Sequence, residues 1–303
     1  MPTGIEHCDE TWEVGAGCSP CSESCENCWA CRLAATRLKY HPRYRGLAEM
    51  VNSKPKWTGE VRVFPEMLEQ PRRWRQPRTI LVGSRFDLFH SAVRLPFIRS
   101  VFCTIRDCPL HTFLVLTKRV YNMRTILDLI GFIPTSNLWL GITAENQARL
   151  DERWEMLRPI PGNKWLSVEP LLGPVDVRPA LAEGIGAVIV GGESGPGARA
   201  MNPDWVRAIR DQCAAADVPF FLKQWGEWRQ VDSWRERVTN QSGHRYDYRE
   251  VFVDGVRRNA YDKDLLWLGA NIGDAPLVRV GKKAAGRLLD GREHNDLPWR
   301  VKR

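Results

Sequence analysis

Short, continuously apolar runs, separated by polar stretches and helix-like segments, set the rhythm of this chain. Seven runs read as strands: residues 11–14, 79–83, 112–116, 138–142, 165–168, 187–190 and 219–222. A strand without polar alternation is buried on both faces, as in a parallel sheet covered by helices. Helical periodicity fills residues 144–157 and 203–216, with Asn202 expected as N-cap and Pro203 at the first helical position. The alternation predicts an α/β fold, either a full or partial (β/α) barrel or an open doubly wound sheet. Polar residues follow the apolar run in unit after unit: Ser84 and Asp87, Thr117 and Lys118, Thr143 and Glu145, Glu169, Glu193 and Ser194, Lys223 and Gln224. A barrel gathers all of these at its C-terminal rim, whereas an open sheet gathers only those near its switch point, so the barrel is favoured. Beyond residue 228 the pattern weakens into charged and polar sequence with Tyr246, Tyr248 and Tyr261, then a basic end. The expected organisation is a barrel domain over 1–228 and a C-terminal extension over 229–303 packed on it.

Composition narrows the setting. Hydrophobic content of 43% and charged content of 26% are ordinary for a globular protein. No apolar run approaches a membrane span, and the N-terminus lacks a charged-then-apolar signal pattern. A cytoplasmic location is expected, where thiols stay reduced, so nine cysteines argue for metal or catalysis over disulfides. The net charge of +8 favours an anionic partner, nucleic acid first, or else reflects a solvated basic surface. Thirteen tryptophans could stack on bases or fill cores. No helix-turn-helix or RNA-recognition signature is present.

The chemistry concentrates in G-C-S-P-C-S-E-S-C-E-N-C-W-A-C, which places Cys18, Cys21, Cys25, Cys28 and Cys31 within fourteen residues. Three readings compete. Structural zinc uses paired C-x2-C units, usually separated by about a dozen residues or more, and the gap here is only three. A ferredoxin-type cluster uses C-x2-C-x2-C with a remote Cys-Pro; Cys108 precedes Pro109, which keeps that reading open. The third is a radical S-adenosylmethionine (SAM) cluster, whose signature spacing is matched by Cys21-x3-Cys25-x2-Cys28. There, three thiolates hold a [4Fe–4S] cluster, and the iron without a protein ligand chelates SAM.

The segments TWEVGAGCSPCSESCENCWA, LVGSRFDLFH, HTFLVLTKR, NLWLGITAEN, WLSVEPLLGP, VIVGGESGPGAR, WVRAIRDQC, VPFFLKQWG and GKKAAGRLLDG run from residue 11 to about 293. Together they resemble the phage-associated three-Cys-motif family, regarded as radical SAM-like and related in style to spore photoproduct lyase. The resemblance implies a barrel of the radical SAM type, a [4Fe–4S] cluster, SAM, and an electron donor such as flavodoxin or ferredoxin. The family pattern G-C-x6-C-x2-C-[YW]-A falls on Cys18, Cys25 and Cys28, with Cys21 a rival to Cys18 on superfamily spacing. By analogy with radical SAM barrels, Ser84 or Asp87 would meet the SAM amino group, and Thr143 and Glu145 the ribose. Ser167, Glu169, Gly191, Gly192 and Glu193 would meet the carboxylate, the adenine or the substrate, the two glycines permitting close backbone approach. Lys118, Arg119, Lys223 and Gln224 would hold a substrate phosphate or carboxylate, or pair with rim carboxylates. His90 would donate a proton or pack as a loop histidine. No catalytic residue is assigned. The implied substrate is a modified nucleobase, in the hypermodification of thymidine in phage DNA, which places the protein in the host cytoplasm. The alternatives are a radical SAM enzyme acting on a peptide or small metabolite, and a non-catalytic iron–sulfur or zinc protein.

Overall fold

The computed structural model describes residues 5–230 and 277–300, together with the short strands Val238–Thr239, Arg245–Tyr246 and Leu265–Leu266. Each of the seven apolar runs forms a strand: β1 Glu10–Trp12, β2 Thr79–Val82, β3 Thr112–Thr117, β4 Leu138–Thr143, β5 Asn163–Val168, β6 Ile185–Gly191 and β7 Phe220–Gln224. All pair in parallel and in chain order, from β1 beside β2 to β6 beside β7. A doubly wound sheet reverses its strand order at a switch point; this one winds steadily in one direction, as a barrel does. The sheet ends at β1 and β7, which do not pair, so the barrel is partial.

The curl shows in what the inner face touches. Leu81, Leu114, Trp165, Ala187, Ile189 and Phe221, from β2, β3, β5, β6 and β7, share one buried cluster with Cys8, Leu297 and Trp299. His7, three residues ahead of β1, packs on Trp165 at 6.0 Å and Phe221 at 6.4 Å between ring centroids. In a flat sheet β1 and β7 would stand roughly 30 Å apart, beyond the reach of one imidazole. Trp299 closes the floor of the half-barrel. Its ring meets Trp139 at 4.9 Å and Trp165 at 5.9 Å, and its indole donates to the His7 carbonyl at 3.2 Å.

The outer face is covered by α2 Leu95–Asp107, α3 Val120–Leu129, α4 Gln147–Leu157, α5 Arg178–Ala182 and α6 Pro203–Ala215. Their apolar residues recur at helical spacing, for example Ile98, Val101 and Ile105 or Val206, Ile209 and Cys213, and lie in one continuous core with the sheet. Asn202 caps α6 as expected, its side chain accepting from the Asp204 amide at 2.9 Å. The helix expected from residue 144 starts at Gln147, because Asn146 caps it by accepting from the Arg149 amide at 3.1 Å.

Residues 29–57 break the strand–helix rhythm. They form α1, Trp29–Ala35, and an antiparallel hairpin of Ala48–Val51 with Lys54–Trp57. A small core of Cys31, Ala34, Ala35, Tyr44, Leu47, Ala48 and Phe64 joins them. Of the expected extension over 229–303, most residues, Tyr248 and Tyr261 included, lie outside the described residues. Leu277–Arg279 pairs with Trp228–Gln230, and the Leu222 amide donates to the His294 carbonyl at 3.1 Å. No helix among the described residues is long and apolar enough to cross a membrane.

Candidate functional site

The cysteines lie on the loop that leaves β1 at the C-terminal side of the sheet. Gly15–Ala16 pairs with Arg62–Val63, and Gly17 bridges to Phe86. Gly17 has φ +94, and a Cβ there would run into the Glu60 carbonyl, so only glycine lets the chain turn here. Cys25 ends a short 3-10 turn, Glu23–Cys25, and Cys28 immediately precedes α1. Arg119, at the end of β3, reaches across to this loop. One of its nitrogens lies 3.7 Å from both the Cys18 and Cys21 sulfurs, so the two sulfurs are at most twice that distance apart. The other donates to the Ser19 carbonyl at 2.7 Å and hydroxyl at 2.9 Å. A hydrogen bond from the Cys21 thiol holds Cys25 well below the usual thiol range and pushes Cys21 up. Burial, then Asp87, pushes Cys18 up to about 11. Cys31 sits apart in the small core, where burial raises it to about 12.

The residues after each strand form a linked ring. Glu13 Oε1, just past β1, accepts from the Ser84 amide at 3.2 Å and from the Ser84 hydroxyl, with Arg85 at 3.4 Å. Asp87 accepts from the Thr117 hydroxyl at 2.8 and 2.9 Å, the Phe89 amide at 3.0 Å, the Lys118 amide at 3.3 Å and Arg119 at 3.4 Å. Glu145 is fully buried between the Ser24 hydroxyl at 3.0 Å and Arg153 at 2.7 Å. Burial pushes its carboxyl up, but Arg153, then a hydrogen bond from Ser22, hold the net shift downward. Glu169 accepts from Ser167 at 3.3 Å and pairs with Lys223 at 2.7 Å. Burial pushes the Lys223 ammonium down, and Glu169 reverses the shift. Glu193 accepts from Asn27 at 2.9 Å, from the Arg199 amide at 2.8 Å, and from its guanidinium at 2.6 and 3.0 Å. Gln224 donates to the Gly192 carbonyl at 2.7 Å. A Cβ on Gly192 would collide with the Trp225 carbonyl, so its close approach is to the chain after β7.

The ring therefore brings Arg119 to the cysteine loop directly, Asp87 through Arg119, and Glu145 and Glu193 through Ser24 and Asn27. Arg119 and Lys223 pair with rim carboxylates. Thr143 and Ser167 are buried at the ends of β4 and β5. His90 hydrogen-bonds Ser19 at 2.8 Å; its Nδ1 accepts from the Ala92 amide at 3.2 Å, so in the neutral ring Nε2 carries the proton and donates. Burial, then Arg119, lowers its pKa. Sequence reasoning misses Glu13, because the apolar run that predicts the first strand extends to residue 14 while the strand ends at Trp12. It also misses Asn27 and Arg199, which lie inside quoted motifs but whose partners are distant in sequence.

Two buried oxygens of this ring have no hydrogen-bond partner, Glu13 Oε2 and Gln224 Oε1. Both are acceptors, suited to an N–H or cationic group of a ligand. Among the described residues, no three His, Cys, Asp or Glu side chains converge as ligands of a single metal ion.

A family model described as protein of unknown function (DUF5131) matches residues 2–298. The chain belongs to this family. No curated protein and no solved structure matches it. The DUF5131 match takes in the cysteine loop and the whole sheet, and ends one residue before Trp299.

Proposed function

We propose that this DUF5131 protein is a radical SAM enzyme. The observation that carries the reading is the placement of four thiols, Cys18, Cys21, Cys25 and Cys28, on one loop at the C-terminal mouth of a parallel half-barrel. That mouth is where barrel enzymes assemble their sites. The donor set fits an iron–sulfur cluster. Soft thiolates are the donors that such a cluster would take, and it would share them among several irons instead of one. Arg119 and Lys118 supply positive charge to offset them.

Cys25 and Cys28 would hold a [4Fe–4S] cluster, with Cys18 as third ligand on the family pattern and Cys21 its rival. When bound, the cluster supplies the electron that cleaves SAM to a 5′-deoxyadenosyl radical. The chain's residues hold and orient. Arg119 ties the loop to Asp87, and Glu145 and Glu193 anchor it through Ser24 and Asn27. Asp87 and Glu145 already have their oxygens engaged, so their part is positioning. The free Glu13 Oε2 is the better acceptor for the SAM amino group, with Ser84 fixed beside it. Thr143, Ser167, Glu169, Gly191 and Gly192 complete the SAM side, and Lys118 and Gln224 the substrate side. The substrate class we favour is a base in DNA, a modified thymine, on the strength of the basic balance; a base in a duplex must leave the stack to be reached.

The test is anaerobic purification followed by reduction in the presence of SAM. A brown protein with about four irons per chain and release of 5′-deoxyadenosine supports the reading. A colourless protein carrying one zinc overturns it. Cys25→Ala and Cys28→Ala each lose the iron, and comparing Cys18→Ala with Cys21→Ala decides the third ligand.

A further inference from the structure

The net charge of the chain is not spread evenly. Residues 29–58 contain seven Lys or Arg against one acid, Glu49, and so hold six of the eight net positive charges. The fold gathers this segment into α1 and the hairpin beside it. Arg37, Lys39, Arg45 and Lys56 are exposed and form no ion pair with the described residues. Two aromatic rings stand out with them: Tyr40 is 81% exposed and Trp29 is 48% exposed.

The surface adjoins the cysteine loop. Trp29 follows Cys28 directly, and Lys54, at the hairpin turn, lies 3.9 Å from Glu26, between Cys25 and Cys28. Chain connectivity and this contact fix the basic face to the edge of the candidate site.

We propose that residues 29–58 form a nucleic-acid platform that holds a DNA strand by its phosphates, with Trp29 and Tyr40 as stacking surfaces for unpaired bases, and so delivers a base to the mouth of the half-barrel. The proposal deepens the DNA-substrate reading above and rests on it. Unpaired cations with interspersed exposed aromatic rings match the demands of a single strand, which offers both phosphates and base faces. An anionic membrane would also take cations and interfacial aromatic rings, but it offers no base faces to stack on, and the vesicle arm of the experiment separates the two.

The experiment compares the full-length, iron-loaded chain with an Arg37→Glu/Lys39→Glu/Lys56→Glu variant and with an Arg94→Glu/Arg99→Glu/Arg124→Glu control. The control makes the same charge change on α2, α3 and the residue that precedes α2. The probe is a mixed-sequence single-stranded DNA oligonucleotide, titrated from low to moderate salt. With four phosphate contacts, wild-type affinity for the single strand falls about 50-fold between 50 and 200 mM salt. The platform variant binds at least tenfold more weakly than wild type at low salt and with a flatter salt dependence, while the control stays within about threefold. Tyr40→Ala weakens binding about fivefold or more with the salt slope unchanged, as loss of stacking requires. Equal losses in platform variant and control, or no DNA binding by wild type, overturn the proposal. So does equally tight binding to phosphatidylserine-containing vesicles that depends on the same three charges. The iron count and SAM cleavage are read on wild type alone. A chain that holds iron and cleaves SAM but ignores DNA refutes the platform and leaves the radical reading standing; a DNA-binding chain without iron does the reverse.

Discussion

His7 is buried with both ring nitrogens lacking a hydrogen-bond partner, between Trp165 and Phe221. Burial, reinforced by Lys223 and Arg300, lowers its pKa well below 6.5. The unfolded chain therefore binds a proton that the folded chain refuses. Stability is complete above the unfolded pKa and falls as pH drops below about 6.5, by about 1.4 kcal/mol per pH unit until the folded group titrates. His7→Phe flattens this part of the urea-midpoint profile between pH 6.5 and 5, and an unchanged slope would show that other groups carry it. At the rim the free oxygen of Glu13 makes a different prediction. On the proposed radical SAM reading, Glu13→Gln weakens SAM binding roughly ten- to hundredfold, the worth of one hydrogen bond to a charged group, while the iron content holds. Equilibrium binding of SAM to the anaerobic protein measures this. Neither residue stood out in the sequence. Glu13 was hidden by a strand boundary two residues too late, and His7 by the absence of any pattern around it.

At the scale of elements, the strands and the capped helices were plain in the sequence because their signals are local. Seven apolar runs needed only to be counted, and Asn202 and Pro203 mark a helix start by their own chemistry. Residues 29–57 were silent because their small core is assembled from scattered residues between Arg and Lys, with no sustained period. The rim was legible as a set of polar positions but not as a network, since each partner comes from another strand or loop. The firmest of these links joins β4 to α4. Glu145 and Arg153 are both almost fully buried, and they pair at 2.7 Å. Arg153→Ala strands the carboxylate and costs about 3–5 kcal/mol, read as a lower urea midpoint. Adding Glu145→Gln recovers part of that loss; if it recovers nothing, the arginine acts through packing alone.

For the whole molecule, the strictly sequential strand order makes the barrel, and the inner core makes it curl. Trp299 is the wedge. Trp299→Ala empties the space against Trp139 and Trp165 and costs about 3–5 kcal/mol, visible in thermal or urea unfolding. A loss below 1 kcal/mol would mean that the curvature is set by the strands themselves. No sequence pattern announces this wedge, because its partners are distant in the chain, His7 among them at 292 positions. That separation bears on how the protein is made. Trp299 follows all seven strands in the chain, so until synthesis has passed it the concave face has no floor, and its apolar lining is open to water. Closure of the floor cannot precede synthesis of the last strand. Chaperone dependence during synthesis is thus expected to concentrate on the inner face, and a nascent chain stalled before Leu297 is expected to stay aggregation-prone even with every strand present.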